Sequence, residues 1–208
     1  MLIRSLETGM LGANCYLVIC PETRQGALID PGDEADRIMD LVNQEQVTIV
    51  AIINTHGHGD HIGANAGVQK ATNAPIICHI EEAPMLTSAN QNLSKFFTHP
   101  IVSPAAARVV QDGDEIKIGN VTLEVLHTPG HTLGGMCLKG PDVVFSGDTL
   151  FAGSVGRTDF PNGSHSTLIQ SIREKLLTLP DETIVYPGHG PKSTIEKERT
   201  SNPFLIGG

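Results

Sequence analysis

Residues 47–53 form a largely β-branched run that leads, two residues later, into His56-Gly57-His58-Gly59-Asp60-His61. The run reads as a strand buried on both faces. The hexapeptide beyond it holds three imidazoles and a carboxylate, and these are the side chains that bind transition metals. Such a junction points to an α/β arrangement with a metal centre at a sheet edge, where loops are held by the rigid strands behind them.

Four more apolar stretches end in the same manner. Residues 121–126 run into His127-Thr128-Pro129-Gly130-His131, 143–145 into Ser146-Gly147-Asp148, 183–186 into Pro187-Gly188-His189, and 26–29 into Asp30-Pro31-Gly32. Each time a glycine-containing turn carries a ligand-type residue, and the glycine lets the backbone bend sharply beside an ion.

His56 and His58, two apart in a near-extended turn, face the same way. Asp60 and His61 open a helix, where consecutive side chains diverge by about 100°. Two half-sites result: His56, His58 and His131 for one ion, and Asp60, His61 and His189 for a second, with Asp148 bridging. The donor set suits two divalent ions, Zn(II) first, with Fe(II) or Mn(II) as alternatives, and the lack of a thiolate ligand argues against a structural zinc. Each ion keeps an open position. A water shared by two divalent cations loses its proton near neutral pH, so the expected chemistry is hydrolysis, with Asp60 and Asp148 as the catalytic carboxylates. Asp30 reads as a partner that fixes a ligand histidine or a nearby turn, not as a ligand. His79, His99, His127 and His165 read as non-ligands.

The 208 residues, 39% of them hydrophobic, sustain one large domain spanning 1–208. With 22 glycines and 13 prolines the elements are short and the turns tight. A formal net charge of −9 and the lack of any Lys/Arg cluster argue against nucleic-acid binding. No apolar run approaches the roughly 18 residues of a membrane span. Cys15, Cys20, Cys78 and Cys137 form no C-x-x-C pair and read as buried free thiols, and the N-terminus lacks a signal-peptide layout, so a cytoplasmic location is expected.

Strands are expected over 2–6, 15–20, 26–29, 75–78, 134–138 and 143–145. Asp33 is expected to cap a helix whose apolar stripe is Ile38, Leu41 and Val42. A helix over 60–70 should open with the last two ligands of the cluster. Residues 81–103 are less regular, and their polar loop, 90–95, is a candidate overhang. Asp112-Gly113 and Gly119-Asn120 read as hairpin turns joining strands over 108–111, 115–118 and 121–126. Helices close the chain over 165–177 and 192–200, with a strand over 183–186 between them.

The order H-x-H-x-D-H, then a single His, a single Asp and a final His, resembles the metallo-β-lactamase superfamily over nearly the whole chain. Within it, Gly12-Ala13-Asn14-Cys15-Tyr16, Thr128-Pro129-Gly130-His131-Thr132, Gly147-Asp148-Thr149-Leu150-Phe151, Gly156-Arg157-Thr158-Asp159-Phe160 and the tail from Glu198 to Leu205 are most similar to the short bacterial glyoxalase II-like hydrolases. The resemblance implies a four-layer αβ/βα sandwich of two mixed sheets flanked by helices, with a dinuclear site at one edge.

It also implies thioester hydrolysis, with S-lactoylglutathione as reference substrate and a small-molecule thioester or ester as the partner. Typical members add a C-terminal helical domain with basic glutathione contacts, whereas here the sequence closes soon after His189, so a more open site with broader thioester use is expected. Arg157, Thr158 and Asp159 are candidate substrate contacts, since Arg157 pairs well with a carboxylate; the competing reading is an internal Arg157–Asp159 link that shapes the loop. The same segment occurs in persulfide dioxygenases, which use a single Fe(II), and a lactonase or esterase on the same core is a third reading. Asp148, at a position where common dinuclear β-lactamases carry Cys, argues against β-lactam hydrolysis.

Overall fold

The computed structural model describes residues 1–96 and 99–206. Strands β1 (Leu2–Thr8), β2 (Ala13–Ile19), β3 (Gln25–Ile29), β4 (Thr48–Asn54), β5 (Ile76–His79) and β6 (Arg108–Val110) form one sheet in sequence order. Its first three strands are antiparallel, and β3 to β6 run parallel. The second sheet contains β7 (Glu115–Ile118), β8 (Val121–His127), β9 (Met136–Lys139) and β10 (Val143–Gly147). A small β11 (Leu150–Phe151)–β12 (Ser154–Val155) hairpin intervenes before β13 (Ile184–Pro187) and β14 (Ser193–Thr194) complete it. The order is β14-β13-β10-β9-β8-β7, antiparallel except for the parallel pair β10 and β13.

The alternation of side chains along each strand builds the layers. On β2, Tyr16 and Val18 face a core they share with Ile116, Leu123, Val125, Leu138 and Phe145 of the second sheet. Cys15, Leu17 and Ile19 face the other way, onto Ile38 and Val42 of α1 (Ala35–Glu45), Val68 of α3 (Asn65–Thr72) and Leu86 of α4 (Ala83–Leu86). On the second sheet, Cys137 and Val144 turn outward onto Leu168 of α5 (His165–Ser171), onto Ile172 and Leu176 of the π-helical turn Ile172–Leu176, and onto Ile195 of α6 (Ile195–Ser201). Three apolar seams between four layers make the αβ/βα sandwich of two mixed sheets flanked by helices that the resemblance implied. All four cysteines are buried and unbridged. No described helix is long and apolar enough to cross a membrane.

Several local expectations are corrected. The helix expected over 60–70 is two pieces, α2 (Gly59–Ile62) and α3, because the Ala64 N–H leaves the helical ladder to bond Pro31 O at 3.0 Å. Asp33 is not the cap of α1. Glu34 holds that place in a left-handed conformation, and the Asp33 carboxylate accepts the Glu34 N–H instead. Asp112-Gly113 joins no hairpin: β6 and β7 belong to different sheets, so this turn carries the chain from one to the other. Residues 165–177 relax from α- to π-helical hydrogen bonding at Ile172. The closing helix starts at Ile195, because Ser193 and Thr194 pair with β13.

Candidate metal centre

Both sheets aim strand ends at one point. β4 delivers the segment from Thr55 to His61, β8 delivers the turn with His131, Asp148 follows directly on β10, and His189 lies in the turn just past β13. His58 is extended and caps α2, whose first turn carries Asp60 and His61; the His61 ring still packs 4.2 Å from that of His56. The Asp148 carboxylate stands between all of these. Its Oδ2 lies 4.0 Å from His56 Nε2, 3.6 Å from His131 Nε2 and 3.7 Å from His189 Nε2, and its Oδ1 lies 3.4 Å from His61 Nε2. Asp60 Oδ2 is 3.3 Å from His189 Nε2 and 3.7 Å from His61 Nε2. The donor atoms of His56, His58 and His131 fall within 4.8 Å of one another, as do those of Asp60, His61 and His189.

Four of the five imidazoles, those of His56, His61, His131 and His189, are anchored on the outer nitrogen, which fixes the tautomer and aims the other nitrogen inward. His131 Nδ1–H donates to Arg157 O at 2.7 Å and His189 Nδ1–H to Leu11 O at 3.1 Å. His61 Nδ1 faces Asp30 Oδ2 at 3.2 Å, and His56 Nδ1 lies 3.2 Å from the Thr55 hydroxyl. The turn bearing His189 is itself pinned by β2: Asn14 Nδ2 donates to Pro187 O and Gly190 O, and the Tyr16 hydroxyl to Pro187 O at 2.6 Å. No local pattern in the sequence announced these supports.

The inward nitrogens collide in pairs. His58 Nδ1 is 2.9 Å from His131 Nε2, and His61 Nε2 is 3.2 Å from His189 Nε2. Two lone pairs that close repel unless a proton or a metal ion lies between or beside them. Burial, reinforced by the neighbouring imidazoles, holds His56 well below its ordinary range and takes His58 down to about 3. Burial also opposes protonation of His61, but the Asp148, Asp60 and Asp30 carboxylates outweigh it and raise His61 to about 10. Asp60 is pushed up by burial and pulled further down by His61 and His189, and ends below the usual carboxylate range. Burial thus keeps His56 and His58 neutral, while the carboxylates around His61 draw positive charge.

Among the described residues, the buried side-chain atoms lacking any hydrogen-bond partner are His56 Nε2, Asp148 Oδ1 and Thr132 Oγ1. The first two point into the centre, and buried polar atoms are left orphaned at sites that take an ion. This donor set of five imidazoles and two carboxylates fits divalent transition ions. Asp30, His56 and His61 also lie close enough to form a trio. Both Asp30 oxygens, however, are already engaged, by Thr55 N–H at 2.7 Å, the Thr55 hydroxyl at 2.6 Å and His61, so Asp30 supports the centre from behind.

A cavity of ≈ 660 Å³ opens over the centre, with Asp60, His189, Leu11, Phe151, Phe160 and Arg157 in its walls. The polar loop over 90–95 overhangs it, and the Gly59 N–H ties that loop down through Asn92 O at 2.9 Å. The Arg157 guanidinium is bonded twice to Asp159, at 3.0 and 2.8 Å, and lies 4.4 Å over the Phe160 ring. Arg157 and Asp159 therefore form the internal link in this state, with Arg157 at the cavity wall. Of the histidines read as non-ligands, His79 and His127 stack on each other at 4.1 Å, away from the donor trios.

The profile of the metallo-beta-lactamase superfamily matches residues 8–189. The probable metallo-hydrolase YqgX of Bacillus subtilis is 40% identical over 98% of this chain and 97% of its own length. The hydroxyacylglutathione hydrolase GloC of Haemophilus influenzae is 38% identical over 92% of each. Among solved structures, BLEG-1 B3 metallo-beta-lactamase superposes with a TM-score of 0.95 at 37% identity, over 99% of this chain and 100% of that one. ETHE1 from Myxococcus xanthus does so at 0.84 and 33%, over 100% and 85%. TTHA1623, solved in a di-iron-bound form, gives 0.88 and 37%, over 97% and 100%. A profile match across most of the chain, these relatives and the two imidazole-rich trios around Asp148 lead to one conclusion: the chain belongs to the metallo-beta-lactamase superfamily, as one of its glyoxalase II-like metallo-hydrolases.

Proposed function

We propose that this protein hydrolyses acyl thioesters in the manner of glyoxalase II, with a hydroxyacyl thioester such as S-lactoylglutathione as the reference substrate. One observation carries the reading: Asp148 lies between two complete donor trios, each containing a pair of imidazole nitrogens no more than 3.2 Å apart. His56, His58 and His131 would hold one divalent ion, Asp60, His61 and His189 a second, and Asp148 would serve both. When bound, such ions make water a nucleophile near neutral pH and polarise a carbonyl oxygen. Zn(II) suits the donors best, and iron fits them too; TTHA1623 is a di-iron example among the similar structures.

The rest is done by the chain's own groups. Asp60 sits at the cavity floor with its carboxylate beside His189, where it can accept a hydrogen bond from an attacking water and fix its direction. Asp148 keeps the two trios at a set separation. Phe151, Phe160 and Leu11 exclude water above the centre and give the acyl or thiol limb an apolar wall. Arg157, Thr158 and Asp159 are proposed as substrate contacts: an anionic thiol limb would draw Arg157 away from Asp159. The partner is a small molecule, and the site of action is proposed to be the cytoplasm.

A persulfide dioxygenase with one Fe(II) is the second reading, favoured by the likeness to ETHE1. It would leave Asp60, His61 and His189 gathered without direct duty. The likeness to BLEG-1 keeps β-lactams in the substrate panel despite Asp148, and lactones belong there as the third reading. The test is metal analysis of the purified protein combined with assays on S-lactoylglutathione, glutathione persulfide under oxygen, a lactone and a chromogenic β-lactam. Two ions per chain with thioester cleavage support the proposal. One iron with oxygen uptake, or preferred cleavage of the lactam or lactone, overturns it.

A further inference from the structure

Glu82 lies at the end of the 3-10 turn Ile80–Glu82, directly after β5, and is wholly buried. Its two carboxylate oxygens do different jobs. Oε2 accepts the N–H of Gly57 at 2.7 Å, and Oε1 accepts the N–H of Gly134 at 2.8 Å. Gly57 sits between His56 and His58. Gly134 belongs to the turn that carries His131 into β9. The two loops come from different sheets, and one side chain holds both.

The surroundings are shaped to this contact. A Cβ on Gly57 would lie 2.6 Å from Met85 Cβ and 3.2 Å from Glu82 Oε2. A Cβ on Gly134 would lie 2.8 Å from His79 Nδ1 and 2.9 Å from Glu82 Cγ. Glycine at both positions lets the carboxylate approach the backbone amides. Among the described residues Glu82 has no Lys or Arg partner. A buried carboxylate without a cation is costly, and the neighbouring Thr132 side chain together with the two backbone N–H donors offsets that cost here.

We propose that Glu82 is a positioning residue that sets the spacing of His58 and His131, and through it the affinity of the His56–His58–His131 trio for its ion. The proposal rests on the two-trio reading of the centre. It requires two acceptors on one side chain. A glutamine supplies one acceptor and one donor, so its amide would face one of the two N–H groups and push that loop away. The Asp60–His61–His189 trio has other supports, Asp30 and Leu11 O, and is indifferent to Glu82.

The test is stepwise Co(II) or Zn(II) competition against a chelator, on wild type and Glu82→Gln, with the Co(II) ligand-field spectrum read at each step. We expect the Glu82→Gln protein to bind one ion about 10–100-fold more weakly and the other as wild type does, the range seen when a ligand's supporting partner is removed. Unchanged affinity for both ions, equal weakening of both, or a lower melting temperature alone overturns the proposal. Amide exchange on metal-free wild type needs no variant: Gly57 and Gly134 N–H should be strongly protected, and fast exchange at either also overturns it. A wild type that takes up no metal would sink the reading of the centre, while the exchange experiment would still judge the clamp.

Discussion

Asp30 holds its Oδ2 3.2 Å from His61 Nδ1, with both side chains shut away from solvent. The same carboxylate takes the backbone N–H and the hydroxyl of Thr55, which in turn lies beside His56 Nδ1. One residue thus orients a histidine from each trio. Asp30→Asn is expected to weaken ion binding by about 10–100-fold, with the Asp60–His61–His189 set losing most. Isothermal titration with Zn(II) checks this, and wild-type affinity in the variant would refute the assignment.

Asp148 faces four imidazoles from one position. Asp148→Ala and His58→Ala should each lower thioester turnover by several orders of magnitude while the circular-dichroism spectrum stays native. Near-normal turnover in either would remove that residue from the centre.

Gly188 precedes His189 with no room for a side chain. A Cβ there would overlap Asp148 Oδ1 and lie 2.8 Å from His61 Cε1. Gly188→Ala is expected to cost about 1–3 kcal/mol in stability by overpacking and to reduce bound metal to one ion or none. Urea denaturation and metal analysis of the same sample test both halves of that statement.

Ions that bind the folded chain alone stabilise it by mass action. At a free-ion concentration 100-fold above Kd the gain is about 2.7 kcal/mol, or roughly 5–10 °C in melting temperature for a chain of this length. Treatment with a chelator should remove activity and that increment together, and added Zn(II) should restore both. Activity that survives exhaustive chelation would rule out metal-dependent hydrolysis.

His79 is buried at the end of β5, and burial, reinforced by its stack on His127, lowers its pKa. An unfolded His79 takes up a proton near pH ~6.5, whereas the folded one refuses it until lower pH. Its contribution to stability is therefore whole above pH ~6.5 and drains away as pH falls from there toward the folded value. Melting curves between pH 7.5 and 5 should show a shallower loss in His79→Gln than in wild type. Parallel curves would discount this source.

The donor set was legible because strand endings are local: a β-branched run, a glycine and a ligand-type residue can be read within ten positions. The division of the hexapeptide, His56 and His58 against Asp60 and His61, is legible from the change of backbone at His58, extended before and helical after, whereas the neighbours of His131 and His189 depend on tertiary structure. The supports were not legible. Glu82, Asn14, Tyr16 and the carbonyls of Leu11 and Arg157 act across 25 to 178 residues of chain, and nothing near them in sequence signals it. Asp112-Gly113 misled for a related reason. A tight turn has the same chemistry whether the chain re-enters its own sheet or leaves for another, and only the tertiary partners decide. Arg157 admits two readings in sequence, and its pairing with Asp159 emerges only once both side chains have positions.

Residues of the first sheet and its connections supply Asp30, His56, His58, Asp60 and His61, and those of the second supply His131, Asp148 and His189. Neither half alone has a full coordination sphere. During synthesis the cluster at residues 56–61 leaves the ribosome more than a hundred residues before His189, and until then neither trio is complete. An ion held by either trio would need both sheets in place, because each trio takes at least one donor from each of them.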